Sequence, residues 1–172
     1  AAGREELAPG AFLVRLPCGP NRYLHKENLW PHLDEFTVQA LRHALATGHL
    51  PDVVHGHYAD AGYVGLRLAR TLGVPFVFTG HSLGRRKQAR LLARGSDPDS
   101  LEERYKFRRR IRAEEESLAN ADLVVTSTRQ EIEHQYASYM HARKKVMRVI
   151  PPGVDLERFH PPQPGDPLPP VA

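Results

Sequence analysis

The fold of this chain is decided by residues 75–87, which read PFVFTGHSLGRRK. The apolar run at 75–78 is typical of a buried parallel strand, and a glycine-punctuated, basic segment with helical character follows it. In an open α/β sheet, small-molecule sites form beyond the carboxyl ends of the strands, where loops meet helix N-termini. A histidine, a hydroxyl and a lysine at that place (His81, Ser82 and Lys87) suit a sugar-phosphate site. The alternative is a turn that carries surface charge.

Strand and helix patterns alternate along the rest of the chain. The apolar runs predict strands at residues 11–16, 52–57, 76–79, 123–126 and 146–150. Apolar residues at helical spacing, ended in the first two cases by Gly48 and Gly73, predict helices at 28–47, 61–72, 83–93, 101–119 and 129–140. Residues 1–10 have no pattern of their own. The alternation predicts an α/β fold with a Rossmann-like, doubly wound parallel sheet.

Several single residues have predicted local roles. We expect Asp60 to cap the second helix and Thr128 to begin a capping box at the start of the last one. Trp30 is expected in the packed core. Glu114 and Glu115 could pair with basic residues one turn earlier on their helix.

The composition restricts the class of protein. The chain has 172 residues, of which 41% are hydrophobic and 26% charged, as in ordinary globular domains. No apolar run approaches the roughly 20 residues that span a bilayer, and no signal-peptide pattern opens the sequence. The single cysteine, Cys18, fits a reducing compartment. We therefore expect a cytoplasmic protein that has no membrane partner.

The charge pattern favours a small anionic ligand. The formal net charge is +4, and the basic residues cluster at 85–87 and 108–110. Acidic residues interleave with them, and neither an aromatic stacking platform nor a helix-turn-helix pattern is present, so we predict no nucleic-acid partner. His55 and His57 could chelate a metal, but no cysteine or carboxylate set follows at metal-site spacing, so no metal is expected. A phosphate matches the clusters better.

The tail of the chain differs from the rest. Residues 151–172 are rich in proline, which predicts an extended interdomain linker. Residues 1–150 then form a partial domain. We expect the chain to have been cut at a domain boundary here and, because it starts abruptly, at its other end as well.

Several motifs occur in a fixed order along the chain and together resemble one family. They are LWPH at 29–32, HGHYADAG at 55–62, TGHSLGRRK at 79–87, RRI at 109–111, STRQEI at 127–132 and IPPGVD at 150–155. The chain closely resembles, from about residue 10 to residue 162, the N-terminal, acceptor-side domain of sucrose-phosphate synthases. Those enzymes are retaining glycosyltransferases of the two-domain GT-B fold. The resemblance implies that this chain is one half of that fold and lacks its N-terminal strand or strands.

The resemblance implies a reaction. Glucose would pass from UDP-glucose to fructose 6-phosphate, which gives sucrose 6-phosphate and UDP with retention at the anomeric carbon. UDP-glucose is then a co-substrate, no cofactor is expected to be tightly bound, and no motif indicates whether Mg²⁺ stimulates the reaction. The donor would be held by a second, C-terminal domain that these residues do not include. We therefore expect no glycosyl transfer by this chain alone.

The resemblance also assigns residues around the reacting centre. It places His81 between donor and acceptor, where it would bond to substrate hydroxyls and stabilise developing charge. It is not thereby established as a general base. His57, Ser82 and Gly84 belong to the loops around the substrate. Ser82 and Gly84 are expected to shape the turn so that backbone N–H groups at the start of the helix face the substrate.

Four cations are implied for the acceptor's phosphate. That group carries about −1.5 to −2 charge near neutral pH and needs fixed, hydrogen-bonding cations. They are Lys26, Lys87, Arg109 and Arg110. These cations favour a phosphorylated acceptor over the neutral fructose that sucrose synthases use. The alternative function is that of a sucrose synthase or of another retaining transferase with a neutral acceptor. A non-catalytic sugar-phosphate-binding module is a further one.

Overall fold

The computed structural model describes residues 3–142, 145–156, 159 and 161. An antiparallel hairpin precedes a parallel sheet with the strand order β3-β4-β5-β6. The strands are β1 (Gly3–Ala8), β2 (Ala11–Arg15), β3 (Val54–His57), β4 (Phe76–Thr79), β5 (Leu123–Thr126) and β6 (Met147–Val149). The helices are α1 (Leu33–Thr47), α2 (Tyr58–Leu72), α3 (Gly84–Leu92), α4 (Pro98–Tyr105), α5 (Phe107–Asn120) and α6 (Arg129–His134). The predicted α/β fold class is confirmed.

The parallel sheet places the ends of two strands side by side. β3 pairs with β4 in a register that sets His57 opposite Thr79, so the segments that follow these strands leave the same edge of the sheet. One of those segments begins α2, and the other leads into α3. Residues that follow β3 and β4 therefore meet at the carboxyl edge, where ligand sites of open α/β sheets form.

The hydrophobic core lies between the sheet and its helices. Phe76, Phe78 and Val124 of the strands are buried against Leu66 of α2 and Leu118 of α5. Tyr136 and Tyr139, in the segment after α6, complete the same cluster.

The crossing of α2 and α5 depends on a glycine. A Cβ atom at Gly62 would lie 2.7 Å from Phe78 Cε2 and 2.7 Å from Ser117 Oγ. Because real Cβ atoms do not approach other atoms that closely, only glycine lets α2 pack here against β4 and α5.

The predicted helix at 101–119 is wrong as a single helix. Lys106 has φ 51°, which is left-handed, and it separates α4 from α5. The break is held by tertiary structure, because Phe107 is fully buried and the Glu102 carboxylate accepts the N–H of Arg108. A lysine gives no sequence indication of a helix end.

Three smaller predictions are also wrong. Residues 3–8 form β1, which the Pro9–Gly10 turn pairs with β2. Asp60 does not cap α2, because that helix begins at Tyr58, and Asp60 lies in its first turn. α6 ends at His134 rather than near 140, although Thr128 accepts the N–H of Glu131 as the capping prediction requires.

The predicted linker falls mostly outside the described residues. Its described residues, 151–156, 159 and 161, contain no helix or strand, and the division of the chain near residue 150 stays a prediction. Among the described residues, no helix has both the length and the apolar character that crossing a membrane requires.

Candidate functional site

A cleft opens at the carboxyl edge of the parallel sheet, between the start of α2, the loop before α3, and α5. Its volume is about 280 Å³, near the lower end of small-molecule pockets and suited to a compact ligand. It combines aromatic rings, carboxylates and cations. The lining residues are Lys26, Glu27, Trp30, Tyr58, Ala59, Asp60, Ser82, Tyr105 and Arg110.

Three of the four predicted phosphate-binding cations converge on this cleft. Lys26 and Arg110 line it, and the Lys87 Nζ lies 3.9 Å from the centroid of the Tyr105 ring, which also lines it. Burial lowers the pKa of Lys87 below its usual value of 10.5, and the charges of Lys26 and Arg110 lower it further. Such mutual repulsion of cations is relieved by an anion, which the cleft can therefore attract.

The fourth cation, Arg109, is not among the residues that line the cleft. It is exposed and borders two other grooves, beside Pro31 and Arg112 on one side and Glu102 on the other. The geometry does not support its predicted contact with a phosphate bound in the cleft.

Arg110 is held in place from two sides. Its Nε donates to Glu114 Oε1 at 2.9 Å, and its Nη2 donates to the backbone carbonyl of Ser82. Its side chain is 14% exposed. The arginine therefore reaches the cleft from a fixed position, and the predicted pairing of Glu114 with a basic residue one turn earlier is confirmed.

The loop between β4 and α3 is bound to the protein through its own amides. The N–H of Gly84 donates to both oxygens of Glu114, and that of Arg85 donates to the Tyr139 hydroxyl. The N–H of Gly80 donates to the hydroxyl of Tyr136. The expectation was that backbone N–H groups at the start of α3 face the substrate. The amides of Gly84 and Arg85 do not meet it, because protein acceptors already use them.

The side chain of Ser82, rather than the amide of Gly84, is the part of this loop that borders the cleft. Ser82 is exposed and lines the cleft, whereas Gly84 is buried below it. A Cβ at Gly84 would lie 3.0 Å from Glu114 Oε2 and 3.3 Å from Arg110 Cδ. Glycine at this position therefore permits the close approach of α5 to the loop.

A row of histidines lies beside the cleft. His57 Nδ1 and His81 Nε2 are 2.8 Å apart, and His55 Nε2 lies 2.8 Å from Thr79 Oγ1. Partial burial lowers the pKa of His55 and of His57 below 6.5, and neighbouring histidines add to the effect. His81 has φ 53°, and its ring packs against Tyr58 with 4.6 Å between the centroids. His81 thus adjoins the cleft through Tyr58.

Within the described part of the chain, no group of three or more histidines, cysteines or carboxylates is arranged to hold a metal ion.

Several residues in and next to the cleft were not predicted as parts of the site, namely Trp30, Tyr58, Asp60 and the buried Glu114. Trp30 is half-buried and borders the cleft, so its assignment to the packed core is wrong. Tyr58 and Asp60 follow the end of β3 as Ser82 follows β4, and the same strand-end argument could have found them. Glu114 could not have been found in this way, because glutamates are rarely buried.

The sequence profile of Glycosyltransferase Family 4 matches residues 2–158, and the chain belongs to that family. The parallel sheet and its helices correspond to one half of a GT-B glycosyltransferase. The more particular resemblance, to sucrose-phosphate synthases, is confirmed by individual relatives.

The plant relatives share close to half of the aligned residues. The probable sucrose-phosphate synthase 5 of Oryza sativa subsp. japonica is 44% identical over 192 residues, which cover 86% of this chain and 19% of that protein. The sucrose-phosphate synthase of Zea mays is 45% identical over 182 residues, which cover 86% of this chain and 17% of that protein. This chain therefore spans less than a fifth of the length of these relatives.

A solved structure gives the same assignment. The sucrose-phosphate synthase of Thermosynechococcus elongatus superposes with a TM-score of 0.72 at 25% identity, covering 92% of this chain and 36% of that one.

Proposed function

We propose that this chain forms the acceptor-binding half of a sucrose-phosphate synthase. In this function, glucose passes from UDP-glucose to fructose 6-phosphate with retention at the anomeric carbon. The observation that carries the proposal is the convergence of Lys26, Lys87 and Arg110 on one cleft at the carboxyl edge of the sheet.

The cleft matches the two parts of a sugar phosphate. The cations bind the phosphate, because an arginine and two lysines make several charge-assisted hydrogen bonds to its oxygens. Asp60 accepts hydrogen bonds from sugar hydroxyls, and the Ser82 hydroxyl both donates and accepts them. Tyr58 and Tyr105 add aromatic surface to the wall of the cleft, beside which the apolar face of the sugar lies.

His81 lies next to this acceptor site and serves the transfer step. It bonds to substrate hydroxyls and stabilises the charge that develops on the departing glucose. The hydrogen bond between His57 and His81 orients the imidazole, since the bond that one ring nitrogen makes fixes the role of the other. A cytoplasmic location and the absence of a tightly bound cofactor accompany this proposal.

The donor is bound by a further domain. This chain corresponds to 36% of the solved relative, which leaves room in such a protein for a second domain that holds the nucleotide sugar. We expect no turnover by the 172 residues alone, and sucrose 6-phosphate formed repeatedly by them would contradict this part of the proposal.

The test is a titration of the isotope-labelled chain with fructose 6-phosphate and, separately, with fructose. Saturable amide shifts near Ser82, Lys87 and Arg110 with the phosphorylated sugar alone are the expected result. An equal response to both sugars would replace the proposal with a neutral-acceptor transferase. A lack of response to either sugar would show that these residues do not form an acceptor site by themselves.

A further inference from the structure

Glu114 is a fully buried carboxylate that lies outside the cleft. Its two oxygens accept the Gly84 N–H at 3.0 and 2.9 Å, the Arg110 Nε at 2.9 Å and the Tyr139 hydroxyl. It has 0% of its surface exposed. Burial raises the pKa of this carboxyl, while the hydrogen bonds from Tyr139 and Arg110 oppose the rise.

Holding the start of α3 does not by itself require this charge. A neutral hydroxyl or amide oxygen can accept the first N–H groups of a helix, whereas a buried carboxylate costs free energy unless a cation compensates it. Arg110 is the one cation among the three partners, and the same arginine lines the cleft. The charge of Glu114 is therefore directed at Arg110.

Arg110 keeps binding capacity after it has been fixed. Nε is used by Glu114 and Nη2 by the Ser82 carbonyl. Within the described residues no acceptor is bonded to Nη1, so this edge of the guanidinium can serve a ligand. An arginine fixed in this way loses less side-chain entropy when it binds than a free one, which favours affinity.

We propose that Glu114 is a positioning residue that holds the Arg110 guanidinium at the edge of the cleft to receive the acceptor's phosphate. This inference rests on the proposed function. Glu114 connects the loop between β4 and α3 to Arg110, because the Gly84 N–H and the Arg110 Nε donate to the same carboxylate. The glycine at 84 is part of the arrangement, since a Cβ there would press on Glu114 and Arg110.

The experiment compares Glu114→Gln with Glu115→Gln in the whole chain. Glutamine keeps the shape and one acceptor oxygen at 114 but cannot hold the ion pair. Calorimetric titration with fructose 6-phosphate should show about tenfold weaker binding for Glu114→Gln. Glu115 pairs with Arg85 and His141 rather than with Arg110, so the control should bind like the unsubstituted chain.

A double substitution separates positioning from a general loss of structure. Glu114→Gln combined with Arg110→Gln should bind fructose 6-phosphate no more weakly than Arg110→Gln alone, because both changes remove the same interaction. Losses that multiply instead would overturn the proposal, since Glu114 would then act independently of the arginine.

A measurement on the unsubstituted chain keeps the inference testable if Glu114→Gln does not fold. In an NMR pH titration, the Glu114 carboxyl carbon and the Arg110 Nε–H should change with the same midpoint. Different midpoints would overturn the positioning role. This result does not depend on sugar binding, so failure of the proposed function, seen as no response to fructose 6-phosphate, is distinguished from failure of the inference.

Discussion

The two faces of α5 lie in different environments, although similar charged residues occupy both. The inner face carries Arg110 and Glu114, and the outer face carries Arg109, Arg112 and Glu116. Arg109 and Arg110 are neighbours, yet Arg110 is bonded to buried Glu114 and lines the cleft, whereas Arg109 is exposed and borders other grooves. A helix turns by about 100° per residue, so the side chains of adjacent residues leave the helix in directions about 100° apart. A cluster of like charges in sequence therefore need not be one site in space.

The carboxylates of α5 repeat the contrast. Glu114 is buried among hydrogen-bond donors, and Glu116, two residues later, is part-exposed and pairs with Arg112 across one helical turn. The inner face thus combines core packing with site geometry, and the outer face carries solvated ion pairs. Four experiments test this contrast.

The largest effect is expected from Phe107→Ala. Phe107 is fully buried at the start of α5, where the chain turns at Lys106, so truncation leaves a cavity and loosens the helix start. We expect the free energy of unfolding to fall by about 3–5 kcal/mol, measured by chemical denaturation. Arg112→Ala on the outer face is the control, and an equal loss there would remove the distinction between the faces.

Substitutions of the two neighbouring arginines should have different effects on the affinity for fructose 6-phosphate. Arg110→Gln removes a cation and its charge-assisted hydrogen bonds, and the affinity for fructose 6-phosphate should fall roughly 10- to 100-fold. Arg109→Gln, the matched substitution one residue earlier, should change it less than about twofold. Calorimetric titration of both variants decides the matter. Similar losses would restore the predicted role of Arg109.

Glu114 and Glu115 should alter the pH dependence of stability in opposite directions. Burial raises the folded-state pKa of Glu114, so its contribution to stability declines as pH rises from 4.5 through that pKa. Burial opposes the shift at Glu115, but hydrogen bonds from Met140, Arg85 and His141 lower its pKa, so its contribution is present above 4.5 and is lost as pH falls.

The measurement is the free energy of unfolding of Glu114→Gln and Glu115→Gln between about pH 4 and about pH 7. Relative to the unsubstituted chain, its slope with pH should become more positive for Glu114→Gln and less positive for Glu115→Gln. Each change is bounded by about 1.4 kcal/mol per pH unit, because one proton is involved. Changes of the same sign would contradict the assignment of the two environments.

The smallest effect is expected from Arg112→Gln. Its Nε lies 3.3 Å from Glu116 Oε1, and its side chain is 83% exposed, so solvent and salt screen the pair. The loss should be about 0.3–0.5 kcal/mol and should shrink in high salt. A denaturation experiment at two ionic strengths checks this, and a salt-independent loss would show that the outer face is more than a solvated surface.

Local sequence patterns predicted most of the framework. β4 and β5 have their predicted bounds, and α1 and α2 end at Gly48 and Gly73, whose φ values of 69° and 70° a residue without a Cβ adopts at little cost. The left-handed Lys106 escaped prediction because the burial of Phe107 stabilises it. β1 escaped because its stability comes from pairing with β2.

The sequence predicted those residues of the candidate site that directly follow the end of a strand. Ser82 and Lys87 follow β4, and the carboxyl edge of a parallel sheet is where such residues meet a ligand. Arg110 comes from a helix 23 residues beyond Lys87, and its position relative to Arg109 depends on which face α5 buries. Charge spacing alone could not make that choice.

The α/β alternation, the helix-ending glycines and the family resemblance could be predicted without a structure, because they depend on residue type and spacing along the chain. By contrast, the donation of the Gly84 amide to Glu114 and the presence of Arg110 rather than Arg109 at the cleft depend on how the elements pack in three dimensions. The physical reason is burial. An acid or an arginine changes its role when packing removes water and limits its partners, and no pattern of neighbours in sequence specifies that packing.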